Sequence, residues 1–416
     1  MTNHFTFFDI IGCRGDDMLY NAYCRVFQNG FKQVLKVVTY RKPELLKGEN
    51  ALQLLPARIK RDGVKSVLIV TDKGIRSVGY VAQLEKALKE ANIRYVIFDE
   101  TVPNPTIENV EVARTFYMTH RCEGIIAFGG GSPIDCAKGV AARISCPNKT
   151  IAQMKGVMHV RKEMPPFYAI PTTAGTGSEA TVAAVISNPT LNEKYALMDP
   201  VLIPHVAVLD PLLTVKLPPF ITATTGMDAL THAVEAYIGK SNTAETIECS
   251  KKAVKLIHEN LYEAYANGDN LEARANMQEA SYLAGVAFTR AMVGNIHSIA
   301  HTLGGFYNTP HGLANAVIMP YVLRFYGETV HQSLAELADI IGIQGVTDAE
   351  KANAFIDWID EMNAKMNIPN KIEGIINRDI PEMVKRALAE SNPLYPVPKI
   401  MNANEMFYIY QMIQKQ

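Results

Sequence analysis

The chain has 416 residues, of which 48% are hydrophobic and 20% are charged, and its formal net charge is −1. This length predicts two or three domains of about 100–200 residues each, and the composition is that of a globular protein with a large buried core. Because the sequence contains no block of Lys or Arg, it gives no electrostatic reason to expect binding to nucleic acid or to an anionic membrane.

Signals for export and for membrane insertion are missing from the sequence. The first stretch, MTNHFTFFDIIGCRGDD, lacks the basic-then-apolar layout of a signal peptide, and no run of about 18 apolar residues follows. The six cysteines contain no CxxC pair and are Cys13, Cys24, Cys122, Cys136, Cys146 and Cys249. Such scattered cysteines predict reduced thiols, so we expect a cytoplasmic enzyme.

Short apolar runs alternate with amphipathic stretches up to about residue 215. The runs are SVLIV at 66–70, YVIF at 95–98, GIIAF at 124–128, FYAI at 167–170 and HVAVL at 205–209. This alternation predicts buried strands of a mostly parallel, doubly wound sheet with helices between the strands. Ligands of such sheets bind beyond the carboxyl ends of the strands, so the residues after each run are candidates for a site.

Two candidate cofactor contacts follow the first and third runs. Asp72 could accept hydrogen bonds from an adenosine ribose and favour NAD over NADP, or it could simply cap the next helix. In GGGSPIDCAKG the glycines allow close approach of the backbone, Ser132 could cap a helix and Pro133 suits its first turn. The exposed N–H groups of that helix would hold a pyrophosphate; the alternative is a tight strand-to-helix turn.

The segment GTGSEA at 175–180 fits the dinucleotide fingerprint G-x-G-x-x-A, but its context is wrong. It follows PTT, and its continuation ATVAAVIS is rich in β-branched residues, which predicts a strand rather than a binding helix. We therefore expect a polar loop beside the cofactor, with hydroxyl groups from Thr172, Thr173 and Thr176.

From about Thr222 long amphipathic segments dominate, which predicts an all-helical second half. Within it, GMDALTHAVEAY places Asp228 and His232 four residues apart, on one face of a helix. The pair could bind one divalent cation, or it could be a hydrogen-bonded pair in the core.

Three of the ten histidines lie in HSIAHTLGGFYNTPHG at 297–312. Together with Asp228 they would suit Fe²⁺ or Zn²⁺, and the lack of a nearby Cys argues against a structural zinc site. Two arrangements remain open, because His297 and His301 could both bind metal from one helical face, or the helix and the following loop could contribute one ligand each. The other histidines are isolated and need only surface or core roles: His4, His120, His159, His205, His258 and His331.

From about residue 42 onward the chain resembles the iron-containing (group III) alcohol dehydrogenases. The motifs that carry the resemblance are VTDKG, VPNPT, GGGSPIDCAK, PTTAGTGSE, LPPFITATTGMDALTHAVEAY, HSIAHTLGGFYNTPHGLANAVIMP and NPLYPVPKI. It implies an α/β dinucleotide-binding domain with a parallel, Rossmann-like sheet at 1–217, in which 1–40 is atypical. It further implies an all-helical metal-binding catalytic domain at 218–416, a dehydroquinate synthase-like fold, and an active site in the cleft between the domains.

Residue by residue, the resemblance also implies functional roles. The implied metal ligands are Asp228, His232, His297 and His311. His301 matches a catalytic, non-ligating histidine beside the nicotinamide and the substrate. The implied cofactor contacts are Asp72, Asn104, Gly130, Gly131, Ser132, Thr172, Thr173, Thr176 and Lys194.

The implied reaction is hydride transfer between a nicotinamide and a small primary alcohol or diol, with NAD and a divalent metal, Fe²⁺ or Zn²⁺. A homodimer is the family expectation, with no nucleic acid or membrane partner. The motifs hold no clear basic anchor, so we expect an uncharged substrate, with Phe288 and Met292 in its pocket. One alternative is a metal- and NAD-dependent lyase or cyclase resembling dehydroquinate synthase, in which NADH does not accumulate. A second alternative is a non-catalytic nucleotide-binding protein, in which at least one of the metal-ligand positions would be disrupted.

The N-terminus departs from the family pattern. Asp72 lies later in the chain than is usual, because FTFFDIIGCRGDDMLYNAYCRVFQNGFKQVLKVV is extra or rewritten. We expect this segment, which carries aromatic residues throughout, to cover a dimer edge or the mouth of the cleft.

Overall fold

The computed structural model describes residues 17–191 and 193–415. The strands are β1 (Glu44–Lys47), β2 (Ser66–Val70), β3 (Arg94–Phe98), β4 (Gly124–Gly129), β5 (Gly156–Val157), β6 (Phe167–Pro171), β7 (Ala183–Asn188), β8 (Glu193–Met198) and β9 (Val206–Leu209). The helices of the first half are α1 (Asp17–Val37), α2 (Leu55–Arg61), α3 (Lys73–Val78), α4 (Tyr80–Glu90), α5 (Ile107–Thr119) and α6 (Gly131–Ser145). Those of the second half are α7 (Pro219–Ile238), α8 (Ala244–Ala266), α9 (Leu271–Ala291), α10 (Asn295–Tyr307), α11 (His311–Tyr326), α12 (His331–Ile340), α13 (Asp348–Lys365), α14 (Ile380–Ser391) and α15 (Ala403–Ile413).

The central sheet has six parallel strands in the order β1-β9-β6-β4-β2-β3. Strands β2, β4, β6 and β9 are buried along their whole length. They are buried because α5 and α6 form a hydrophobic core on one face of the sheet, and α2 and α4 form a second core on the other. The five strands predicted from apolar runs are confirmed to within one residue at each end.

Three strands, β1, β5 and β8, were not predicted, although β8 contains the apolar run YALM at 195–198. β1 pairs with β9 at the edge of the main sheet and is largely exposed, so its sequence carries little hydrophobic signal. β5 and β8 join β7 in a small second sheet, in which β7 and β8 are antiparallel. The prediction of a strand after GTGSEA is confirmed by β7.

The second half is a bundle of helices around α7. α7 begins with a proline in its first turn and is buried over nearly its whole length, against α8, α9 and α11. Ala229, Leu230 and Ala233 belong to the large apolar core of this half. Because α7 is surrounded, its polar residues Asp228 and His232 are held in place by the core.

The predicted fold class, a parallel α/β half followed by an all-helical half, is confirmed. The last strand of the main sheet ends at Leu209 and α7 begins at Pro219, so the proposed division at 217/218 falls between them. The cysteines that the structure describes are all unpaired, as predicted, whereas Cys13 and His4 lie outside the described residues. No helix in the described part combines the length and the apolar character needed to cross a bilayer.

The two halves meet where the loop after β6 touches α9. Gly177, which has a positive φ of 59°, lies directly against Gly285 of α9. A Cβ atom built on Gly285 would lie 2.8 Å from the carbonyl oxygen of Gly177 and 3.1 Å from its Cα. This contact leaves no room for a side chain on either glycine.

Replacing Gly285 with Ala is therefore expected to lower the free energy of unfolding by about 1–3 kcal/mol, because the added methyl group would force the halves apart. The matched control is Gly30→Ala in α1, where a Cβ has nothing within 4 Å. That exposed helical site should gain about 0.5–1 kcal/mol, since Ala favours a helix more than Gly. Chemical denaturation of both variants measures the two effects, and equal signs would contradict this account of the contact.

Candidate metal and cofactor site

Four side chains from three helices converge beneath the cleft. Asp228 and His232 come from α7, His297 from the first turn of α10 and His311 from the start of α11. One potential ligand atom from each lies within 4.8 Å of the others. Asp228, His232 and His297 are almost completely buried. The set of one carboxylate oxygen and three imidazole nitrogens fits a divalent ion such as Fe²⁺ or Zn²⁺.

The structure distinguishes between the two arrangements that the spacing of the histidines left open. His297 and His311 both join Asp228 and His232, whereas His301 does not belong to the cluster. The ring of His301 stacks on that of His311, with 5.2 Å between ring centroids. His311 is the first residue of α11 rather than part of the preceding loop.

Burial holds the clustered imidazoles in the neutral form. Desolvation lowers the pKa of His232, and it lowers the pKa of His297 and of His311 well below the usual value. The neighbouring imidazoles add to the effect for His297 and His311. Neutral imidazole is the form that binds metal, so the environment prepares the cluster for a cation.

Glu235 supports the cluster and was missed in the sequence. Its carboxylate accepts backbone hydrogen bonds from Gly294 and Ile296, both at 2.8 Å, and its Oε2 lies 2.6 Å from Nδ1 of His297. When Glu235 is ionised, it accepts the proton on Nδ1 of His297 and leaves Nε2 for a cation. Its position seven residues after Asp228, on the same face of α7, is the signal that could have revealed it.

Asn315 is a second supporting residue that sequence reasoning missed. Its Nδ2 donates a hydrogen bond to Oδ1 of Asp228 at 2.7 Å, and it lies 3.2 Å from Nε2 of both His297 and His311. Asn315 is fully buried one helical turn after His311. It therefore holds the carboxylate of Asp228 in a fixed orientation.

His301 has a separate set of partners. Its Nδ1 lies 2.6 Å from Oε1 of Glu390, and the hydroxyl of Tyr395 donates to the same oxygen at 2.8 Å. Glu390 lies on α14 and Tyr395 in the segment after it, so no local spacing in the sequence connects them with His301. These contacts orient the imidazole toward the cavity.

The cluster and five of the nine predicted cofactor residues open on one cavity of about 260 Å³, which Asp72, Gly130, Thr172 and Thr173 do not line. The cluster and His301 lie on one side of it, and Phe288 and Met292, the predicted pocket residues, also line it. Phe288 stacks on His232, with 4.1 Å between ring centroids. Five of the predicted cofactor contacts line the same cavity: Asn104, Gly131, Ser132, Thr176 and Lys194.

The start of α6 is an unblocked helix N-terminus. Gly130 is the N-cap residue and makes no side-chain capping bond, so the first N–H groups of α6 remain available to an anion. The expectation that Ser132 caps this helix is wrong, because α6 already begins at Gly131. The hydroxyl of Ser132 instead accepts a hydrogen bond from the backbone N–H of Asn104 at 3.2 Å.

The glycines at this turn are required by packing against the threonine loop. A Cβ on Gly130 would lie 3.2 Å from Cγ2 of Thr173, and a Cβ on Gly131 would lie 2.8 Å from Cγ2 of Thr176. Thr172 is buried, and its N–H bonds to the carbonyl of Gly129 at the end of β4. The prediction that this segment is a polar loop rather than a binding helix is confirmed.

Asp72 and Lys194, two of the predicted cofactor contacts, each have a hydrogen-bond partner within the chain. Asp72 is the N-cap of α3, and its Oδ1 accepts from the N–H of Ile75 at 2.9 Å, so the capping alternative is realised. Its second carboxylate oxygen has no part in that bond. Lys194 donates to Oδ1 of Asn104 at 2.9 Å, and burial lowers the pKa of its ammonium group.

Comparison with known proteins matches both halves. Residues 43–211 match the model for iron-containing alcohol dehydrogenases, and residues 222–414 match that for the C-terminal part of the Fe-containing alcohol dehydrogenase family. A 1,3-propanediol dehydrogenase of Klebsiella pneumoniae is 38% identical over 370 residues, which cover 88% of this chain and 95% of that protein.

Solved structures agree with this similarity. A 1,3-propanediol oxidoreductase has a TM-score of 0.86 at 37% identity, covering 90% of this chain and 98% of the other. A sulfoacetaldehyde reductase from Bifidobacterium kashiwanohense, in complex with NAD⁺, has a TM-score of 0.79 at 28% identity, with 91% and 98% covered.

Replacing Glu235 with Ala is expected to lower the free energy of unfolding by about 3 kcal/mol, because two buried N–H groups and an imidazole lose their acceptor. Loss of the partner that orients His297 should also weaken Zn²⁺ binding about 10- to 100-fold. Denaturation and a Zn²⁺ titration of chelator-treated protein measure the two effects. Glu248→Ala, at an exposed position of α8, is the control, and the interpretation fails if both variants bind Zn²⁺ equally well.

Proposed function

Because this chain belongs to the iron-containing alcohol dehydrogenase family and is an oxidoreductase that acts on alcohols, we propose that it uses NAD and a divalent metal, Fe²⁺ or Zn²⁺. The substrate proposed is a small, uncharged primary alcohol or diol, or the corresponding aldehyde. The observation that carries the proposal is the shared cavity, since the Asp/His cluster and the open start of α6 both face it.

Asp228, His232, His297 and His311 are the proposed metal ligands. When bound, the cation would act as a Lewis acid on the substrate oxygen, and NAD would exchange hydride with the substrate carbon. Three neutral imidazoles and one carboxylate leave a divalent ion with a net positive charge. Glu235 and Asn315 hold the ligands in orientation, so little rearrangement is needed when the cation binds.

His301 is the proposed proton carrier. Its Nδ1 is engaged by Glu390, which leaves Nε2 as the nitrogen that exchanges a proton with the substrate. Stacking on His311 keeps the imidazole beside the metal ligands. The hydroxyl of Tyr395 bonds to the same carboxylate oxygen and so stabilises Glu390 in the position that orients His301.

NAD is proposed to lie along the carboxyl ends of the strands, with its pyrophosphate at the start of α6. The negative charge of Asp72 would face the adenosine ribose and repel a 2′-phosphate. The proposed contacts are Asp72, Asn104, Gly130, Gly131, Ser132, Thr172, Thr173, Thr176 and Lys194. We further propose that the enzyme acts in the cytoplasm as a homodimer.

The size and chemistry of the cavity support a small substrate. Its volume of about 260 Å³ is shared between the substrate and the nicotinamide end of the cofactor. Phe288 and Met292 make the substrate side apolar. A short alkyl chain or diol suits this space better than a sugar does, in agreement with the similarity to a 1,3-propanediol dehydrogenase.

Replacing His297 or His311 with Ala should abolish alcohol oxidation and reduce the bound metal to below one tenth of the unsubstituted level, because each variant removes one of four ligands. Metal analysis after reloading with Fe²⁺ or Zn²⁺ checks the content, and NADH formation from a panel of small alcohols and diols checks the activity. His120→Ala, at an exposed site, is the control. Normal metal content in either variant would refute the assignment of that histidine as a metal ligand. If the metal-loaded native protein forms no NADH from any alcohol, a lyase reaction is favoured instead.

Two substitutions at Asp72 separate its charge from its role as a cap. Asp72→Asn keeps an oxygen for the N–H of Ile75 but removes the charge, whereas Asp72→Gly removes both. Both should lower the ratio of kcat/KM for NAD to that for NADP by about tenfold, since neither repels a 2′-phosphate. If neither variant changes the ratio of kcat/KM values, and only Asp72→Gly lowers the free energy of unfolding, Asp72 acts as a helix cap alone.

A further inference from the structure

Helix α1 precedes the residues that match the family model, which begin at residue 43. It is docked on the segment after α14 through main-chain acceptors. The guanidinium of Arg25 donates to the carbonyls of Val397 at 2.7 Å and Pro398 at 2.8 Å. Gln28 donates to the carbonyl of Tyr395 at 2.7 Å. These bonds hold α1 beside Tyr395, which lines the catalytic cavity.

The C-terminal half of α1 faces the outside of the cavity wall. Phe31 and Leu35 line a gap of about 40 Å³, which has room for about three water-sized groups. Four side chains line both this gap and the catalytic cavity: Val182, Met198, Thr289 and Met292. The partition between α1 and the catalytic cavity is therefore one side chain thick.

The four side chains of the partition can change conformation, and their positions depend on the residues of α1 that pack behind them, Phe31 and Leu35. Two of its four members are methionines, whose unbranched side chains adapt to the space around them. Met292 ends α9 with a φ of 67°, a conformation that is strained for a residue with a side chain. It packs against the cluster formed by Cys24 of α1 with Tyr395 and Val397.

We propose that α1 sets the depth of the substrate pocket by supporting this partition from behind, and so limits the length of the alcohol. Phe31 and Leu35 close the back of the gap, so Met198 and Met292 can withdraw from the cavity by at most about 40 Å³ and cannot move into the space that Phe31 and Leu35 fill. A longer alkyl chain would need that space. The inference deepens the proposed function, since it concerns the substrate range of the same site.

Replacing Phe31 or Leu35 with Ala should enlarge the gap and let the methionines withdraw into it. The ratio of kcat/KM for 1-hexanol to that for 1-propanol should then rise about tenfold, since one methylene in an apolar pocket discriminates by at least that factor. Phe31→Leu should give a smaller rise and protects the test against poor folding of the alanine variants. Val34→Ala, on the solvent-facing side of the same helix, is the matched control and should leave the ratio unchanged.

Binding of unreactive alkyl amides, propionamide against heptanamide, gives a second measurement by calorimetry. The proposal is supported if Phe31→Ala and Leu35→Ala bind heptanamide more tightly relative to propionamide than Val34→Ala does. It is overturned if the ratio of the two binding constants is the same in all three variants. If the native protein oxidises no alcohol, the proposed function fails, but the amide measurement still decides whether α1 sets the depth of the pocket.

Discussion

The buried carboxylate of Glu235 is the interaction on which the candidate site depends. It joins α7, which carries Asp228 and His232, to the first turn of α10, which carries His297. Burial raises the pKa of Glu235 to about 8, even though the hydrogen bonds from the N–H groups of Gly294 and Ile296 act to lower it. A carboxyl group in this position is costly, and it remains there because three donors converge on it. The orientation of His297 follows from that convergence.

The loop between β6 and β7 connects the helices of the second half with the start of α6. Thr173 and Thr176 of the loop press against the glycines that begin α6, and Gly177 touches α9. A Cβ on Gly175 would lie 2.5 Å from the carbonyl of Thr225 in α7. One short segment thus packs against α6 of the first half and against α7 and α9 of the second half. It therefore fixes the start of α6 relative to α7, the helix that carries Asp228 and His232.

The sequence predicted what local periodicity and residue chemistry determine. Buried strands such as β2 and β4 are continuous apolar runs, and Asp228 with His232 shows helical spacing. Edge strand β1 was missed because a mostly exposed strand has no such run. The predicted cap Ser132 lies two positions after the observed N-cap Gly130, because the packing of Gly130 and Gly131, rather than a capping hydroxyl, determines where α6 begins. The pairing of His301 with Glu390 spans 89 residues, and only tertiary structure brings them together.

The docking of α1 has an evolutionary consequence. Arg25 and Gln28 bond to main-chain carbonyls, which every residue type provides, so these three bonds make no demand on the side chains of the receiving surface. A relative without the helix already offers the same acceptors wherever its chain follows the same course. Such a segment is modular: it can be acquired, lost or grafted between homologues without changing the catalytic residues. Diversification within the family could then proceed by adding a piece at the terminus instead of remodelling the centre.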